Sequence, residues 1–94
     1  MIIGRVIGTI VSTVKDPKYK GYKLLVVQEM NIDGGYEKNS HISIDLIGAG
    51  LDEVVMVVSG AACRSSLETN DKGIDSLITA KIEKIVIGDK QINL

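Results

Sequence analysis

Ile2-Ile3-Gly4-Arg5-Val6-Ile7-Gly8-Thr9-Ile10-Val11-Ser12-Thr13-Val14 is a long β-branched run interrupted by two glycines. β-Branched side chains suit the pleated, half-buried surface of a strand. Glycine inside a strand marks a bend or a close backbone approach, and sharply bent strands are what a small barrel needs in order to close. The run therefore predicts a bent first strand over residues 2–14. Outward from it, apolar runs and turn residues alternate about every ten positions, the rhythm of a sandwich or barrel.

Lys15-Asp16-Pro17-Lys18-Tyr19-Lys20-Gly21 breaks the pattern as a loop. A second strand is expected over 22–32, closed by the turn Asp33-Gly34-Gly35. Ile42, Ile44 and Leu46 alternate with His41, Ser43 and Asp45, predicting a half-buried third strand over 41–47. After Gly48-Ala49-Gly50, residues 53–59 form an almost wholly apolar fourth strand. Residues 60–68 are rich in small side chains and suit one or two helical turns, and 69–73 are a loop. Residues 74–77 suit one more helical turn before a final strand over about 78–87. A helix over 74–87 is the competing reading, because Ile74, Leu77, Ile78 and Ile82 fall at helical spacing. Gly88-Asp89 would turn the tail, about 88–94, so that residues 90–94 pair along an edge or reach a neighbour. The expected fold is all-β: one domain over 1–94, a small five-stranded OB-like barrel with one or two short helical turns.

A chain of 94 residues buries only about 60–65% of its unfolded surface. Small domains gain the missing stability from disulfides, metals or partner subunits. Cys63 has no second cysteine to pair with, and one cysteine with one histidine, His41, cannot close a structural zinc site. Partner subunits remain, in keeping with 45% hydrophobic residues and a mean hydropathy of +0.20. No run approaches the ~18 apolar residues of a membrane span, the start lacks the pattern of a secretory signal, and a lone cysteine fits a reducing interior. The expected location is cytoplasmic, with no membrane partner.

The net charge is −1, with neither Trp nor Phe. Single-strand binders combine a basic groove with aromatic platforms. Lys15, Lys18, Lys20 and Lys23 do surround Tyr19 and Tyr22, which keeps an OB-like nucleic-acid module as the alternative, but a solvated loop accounts for the cluster. Catalytic, cofactor and metal sites are not expected. His41 begins a strand with no triad or metal motif beside it. Cys63, next to Arg64, lacks a nucleophile motif and fits a small packed residue. Gly48-Ala49-Gly50 lacks the lysine of a phosphate loop and leads into a strand. An enzyme would need a site that the chain does not display.

Read together, the punctuating residues resemble the EutN/CcmL family. Ile3-Gly4-Arg5-Val6-Ile7-Gly8 with Val11-Ser12-Thr13-Val14-Lys15 is similar to its opening. The likeness continues through Gly21, Lys23-Leu24-Leu25-Val26-Val27-Gln28 and Asp45. Gly48-Ala49-Gly50-Leu51-Asp52-Glu53 resembles its Gly-Ala-Gly-x-Gly-Glu signature, Gly60 and Arg64 match the ends of a Gly-Ser-Ser-Ala-Arg-like segment, and Ile74-Asp75-Ser76 matches a Val-Asp-Ala. Asp52 stands where glycine is usual; if that position needs φ > 0, Asp is among the few side chains that tolerate it. Ala61 and Ala62 replace two serines, and Gly73 a common proline.

The resemblance implies a structural role. Five copies would close into a ring that caps the vertices of a bacterial microcompartment shell, alongside hexameric shell proteins. Gly48, Ala49, Gly50, Leu51, Asp52 and Glu53 would form the loop at the ring axis. Ala49 and Gly50 would face that axis, and Glu53 would fix the loop by hydrogen bonds. Ser12 and Arg64 would be candidates for the subunit interface.

Overall fold

Strand pairing organises the whole of the described chain. A computed structural model describes residues 1–11, 21–59 and 76–94, and every regular element among them is a strand. These are β1 (Ile2–Ile10), β2 (Lys23–Met30), β3 (Tyr36–Asp45), β4 (Val54–Ser59), β5 (Ser76–Lys81), β6 (Lys84–Ile87) and β7 (Lys90–Asn93). The first five close into a barrel in the order β1-β2-β3-β5-β4, while β6 and β7 form a separate two-stranded sheet. All barrel pairs are antiparallel except β3 with β5, which run parallel through Ile44↔Leu77 and Asp45↔Ile78. The hydroxyls of Ser43 and Ser76 meet at 2.7 Å beside this short seam, satisfying a serine that is 1% exposed.

Inward-facing residues from all five strands fill the barrel. Val6, Leu25, Val27, Val55, Val57 and Ile78 form one buried cluster, joined by Ala49 from the β3–β4 loop. Ile44, Val58 and Leu77 form a second, with Tyr22, Leu24 and Leu46 packed against it. The two glycines of β1 act differently. A Cβ on Gly4 would collide with Val27 Cγ1 and lie 2.6 Å from the Gln28 carbonyl oxygen, so β1 and β2 approach there as only glycine permits. At Gly8 the nearest atom to a Cβ would be an ordinary 3.9 Å away. The bend there comes from a bulge between Val6 and Gly8, where the register with β2 shifts.

Several expected boundaries are corrected. The third strand starts at Tyr36, five residues before His41. Residues 36–40 are exposed and polar, so no apolar alternation marks them. They are held by the ladder to β2 and by Gln28, whose Nε2 donates to the Glu37 carbonyl at 2.5 Å and whose Oε1 lies 3.0 Å from Ser40 Oγ. The final strand, expected over 78–87, begins by Ser76 and breaks at Ile82-Glu83 into β5 and β6. Leu77, assigned to a helical turn, is fully buried in β5 between Ile44 and Val58. A helix over 74–87 is excluded, since 76–81 and 84–87 are strands. The tail pairs with β6 through Lys84↔Asn93, Ile85↔Ile92, Val86↔Gln91 and Ile87↔Lys90. The helical turns expected over 60–68 and the loops over 15–20 and 69–73 lie outside the described residues.

Candidate functional site

The loop joining β3 to β4 starts where Asp45, 9% exposed, accepts a hydrogen bond from the Ile47 amide on Oδ1 at 3.1 Å. That Asx turn swings the chain outward, leaving Ile47 43% exposed. Gly48 then takes φ +77°, a left-handed conformation that costs glycine nothing. Ala49 returns to the protein, 3% exposed, and joins the barrel core. Its carbonyl accepts from Lys23 Nζ at 3.3 Å. Leu51, 67% exposed, forms the crest. Asp52 adopts φ +68°, so the position where the family signature has glycine does require the left-handed region.

Glu53 brackets the loop. Its Oε1 accepts from the Gly50 amide at 2.5 Å, while its own amide donates to the Gly50 carbonyl at 3.2 Å. A Cβ on Gly50 would stand 3.1 Å from that carboxylate, so a larger residue there displaces the bracket. The other oxygen of Glu53 pairs with Lys81 Nζ. The Lys81 ammonium first, and then the Gly50 amide, hold the Glu53 carboxyl below its ordinary value of 4.5. Glu53 in turn raises Lys81 above its ordinary 10.5.

Two backbone bonds tie this bracket to the bulge of β1: the Asp52 amide donates to the Val6 carbonyl at 2.8 Å, and the Val6 amide donates to the Glu53 carbonyl at 2.9 Å. Arg5 adds a third tie, with Nη1 donating to the Asp52 carbonyl at 2.6 Å and Nε donating to Tyr36 Oη at 2.8 Å. The loop is thus a braced ledge of defined shape, with Ile47, Gly48, Leu51 and Asp52 exposed along its outer side.

The structure brings Gly48, Ala49, Gly50, Leu51, Asp52 and Glu53 together as one loop but corrects the role of one of them. Ala49 does not turn its side chain outward; it packs against Val6, Leu25 and Val55 in its own barrel. Ile47, expected as the last residue of the third strand, belongs to the exposed ledge instead, since β3 ends at Asp45. The braces Arg5, Lys23, Tyr36 and Lys81 had no local signal, since each acts across the fold. Ser12, Cys63 and Arg64 lie outside the described residues. His41 is half-buried, with Nε2 3.5 Å from Glu29 Oε1 but not hydrogen-bonded. Among the described residues, no three of His, Cys, Asp and Glu converge in a way that could hold a metal.

The family described as ethanolamine utilisation protein EutN/carboxysome matches residues 1–83 of this chain. The chain belongs to the EutN/CcmL family. The carboxysome shell vertex protein CcmL of Thermosynechococcus vestitus is 39% identical over 85 residues, 90% of this chain and 86% of that protein. The structure of Nostoc sp. PCC 7120 CcmL superposes with a TM-score of 0.89 at 36% identity, covering 97% of this chain and 96% of that one. A pentameric microcompartment shell protein, GrpN from Rhodospirillum rubrum, superposes with a TM-score of 0.81 at 31% identity, over 93% and 99% of the two chains. The EutN/CcmL match spans the entire barrel and the ledge, and β6 begins directly after it.

Proposed function

We propose that this EutN/CcmL protein is a structural subunit that closes with four copies of itself into a pentamer and caps the vertices of a bacterial microcompartment shell. Its partners there are the hexameric shell proteins of the same compartment, and its role is structural, without catalysis. The observation that carries this reading is likeness over nearly the full length to shell vertex proteins, including one described as pentameric. The physical case agrees: a small barrel with Ile7, Val11, Ile42, Ile47 and Leu51 all more than 40% exposed has apolar surface to bury against copies. Loop 48–53 is the axial element of the ring, presenting Leu51 and Asp52 from a braced base. Ser12 and Arg64 are further interface candidates on the strength of the resemblance.

Nothing favours the nucleic-acid alternative. Tyr22 packs against the Ile44, Val58 and Leu77 cluster, and Lys23 is engaged with the Ala49 carbonyl. Native mass spectrometry tests the ring: the expected species has five times the 10.1 kDa of one chain. A monomer or dimer throughout the micromolar range refutes it.

A further inference from the structure

The β6–β7 hairpin leaves the barrel and, among the described residues, pairs only with itself. Isolated two-stranded hairpins are marginal in water and persist by packing against something else. Cross-strand partners share a face, so Ile85, Ile92 and Ile87 form an apolar side, whereas Lys84, Asn93, Val86 and Gln91 form the other. The base of the hairpin is anchored to its own chain. The Leu94 amide donates to the Glu83 carbonyl at 3.0 Å, and Ile92 lies over Gly34, its Cγ2 3.6 Å from where a Cβ would be. Towards the turn, Ile87 is left 47% exposed.

The barrel carries an apolar groove of about 360 Å³ lined by Met1, Ile2, Ile3, Met30, Ile32 and Met56. Its volume is more than twice that of a cavity able to hold benzene, about 150 Å³, so it accommodates two aliphatic side chains. The side chains that line it are all apolar, and none comes from the hairpin of the same chain. A ring of identical subunits needs two different patches on each chain that fit one another. Among the described residues, the hairpin face and this groove supply such a pair: one projects, one is concave, and both present apolar side chains, with Lys90 at the hairpin tip as the one charged side chain.

Building on the ring reading above, we propose that the β6–β7 hairpin is the assembly arm, seating Ile85 and Ile87 in the Met1/Ile3/Met56 groove of the next copy. The occupant is a second copy of this chain, and each subunit gives an arm and receives one.

Two variants test this on the full-length chain. Ile87→Asp places a carboxylate in the groove and is expected to weaken each interface by at least about 30-fold, the scale of losing an anchoring residue. The ring then falls to monomers at micromolar concentration while circular dichroism still reports the barrel. Separately, two Cys63→Ala chains are mixed, one carrying Ile87→Cys and the other Met56→Cys, and treated with a short bis-maleimide. Cross-linked dimers joining the two different chains are expected. A wild-type ring that Ile87→Asp leaves intact, with no such cross-link, overturns the arm while sparing the ring. A wild-type monomer overturns the ring and the arm with it. An Ile87→Asp ring that forms normally but no longer enters shells assigns the hairpin to another shell protein and also overturns the proposal.

Discussion

Ala49→Leu separates a loop that faces solvent or a neighbour from one whose alanine belongs to the barrel. Ala49 is 3% exposed, and the residues clustered with it, Val6, Leu25, Val27, Val55, Val57 and Ile78, are each 2% exposed or less. Three additional carbon atoms have no vacant space in such a cluster, so side chains must leave their rotamers or the loop must lift from β1. Overpacking of this kind costs about 1–3 kcal/mol. A domain of this size has a total stability of about 5–14 kcal/mol, and its melting temperature falls roughly 4–8 °C per kcal/mol. The variant should therefore melt about 4–24 °C lower. Urea unfolding over a hundredfold range of protein concentration is the assay. Damage to the barrel lowers the midpoint equally at every concentration, whereas damage to an interface alone gives a deficit that grows with concentration. A variant with the wild-type midpoint at low concentration would refute the placement of Ala49 in the core.

Three further outcomes follow from the same contacts. Gly4→Ala should destabilise the barrel by about 1–3 kcal/mol in urea, because its Cβ meets the Gln28 carbonyl, a backbone atom that cannot step aside; wild-type stability would show that β1 and β2 do not approach so closely. Asp52→Gly should stay within about 0.5 kcal/mol of wild type, relief of the left-handed conformation offsetting the freer unfolded chain, while Asp52→Val should lose about 1–2 kcal/mol. Because the Glu53 carboxyl is held below 4.5, its stabilisation is complete above that value and fades as pH falls through the lowered one. The raised Lys81 adds stability below pH 10.5 that is lost as pH rises beyond its own value. Glu53→Gln should flatten both limbs of a stability–pH profile, and a profile unchanged from wild type would remove the pair from any role.

Strands were legible where apolar character marks them, as at Ile44 and Val54–Val58, but the alternation misplaced one face of β3: Ile42 is 60% exposed, whereas Ser43 and Asp45 are buried. At Asp52 the resemblance offered only a condition, that Asp would be tolerated if the position needed φ > 0, and the structure meets that condition. Residues 36–40 were not legible, since their strand rests on a ladder to β2 and on Gln28, neither of which leaves a pattern in the polar run itself. Ile82-Glu83 hides the break between β5 and β6 for a related reason: no glycine or proline marks it, and the Ile82 amide still donates to the Val54 carbonyl at 2.8 Å. Within the loop, the direction of Ala49 was invisible because small residues carry no hydrophobic signal strong enough to choose a side. Lys81 and Arg5 became visible as braces only once the barrel had closed around them.

The position of β5 between β3 and β4 has a consequence for how the molecule comes into being. As the chain leaves the ribosome, β1, β2 and β3 can assemble as a local meander, and β4 can add to β1. That four-stranded intermediate is an open, curled sheet with bare backbone along β3 and β4, the kind of edge that recruits foreign strands. Only β5 seals both sides, with a parallel seam on one and an antiparallel ladder on the other. Both free edges stay bare until β5 is in place, which makes the arrival of Leu77 and Ile78 the step that ends the window for misassociation. Chaperone capture should then be strongest on nascent chains that have exposed Ser59 but not yet Lys81.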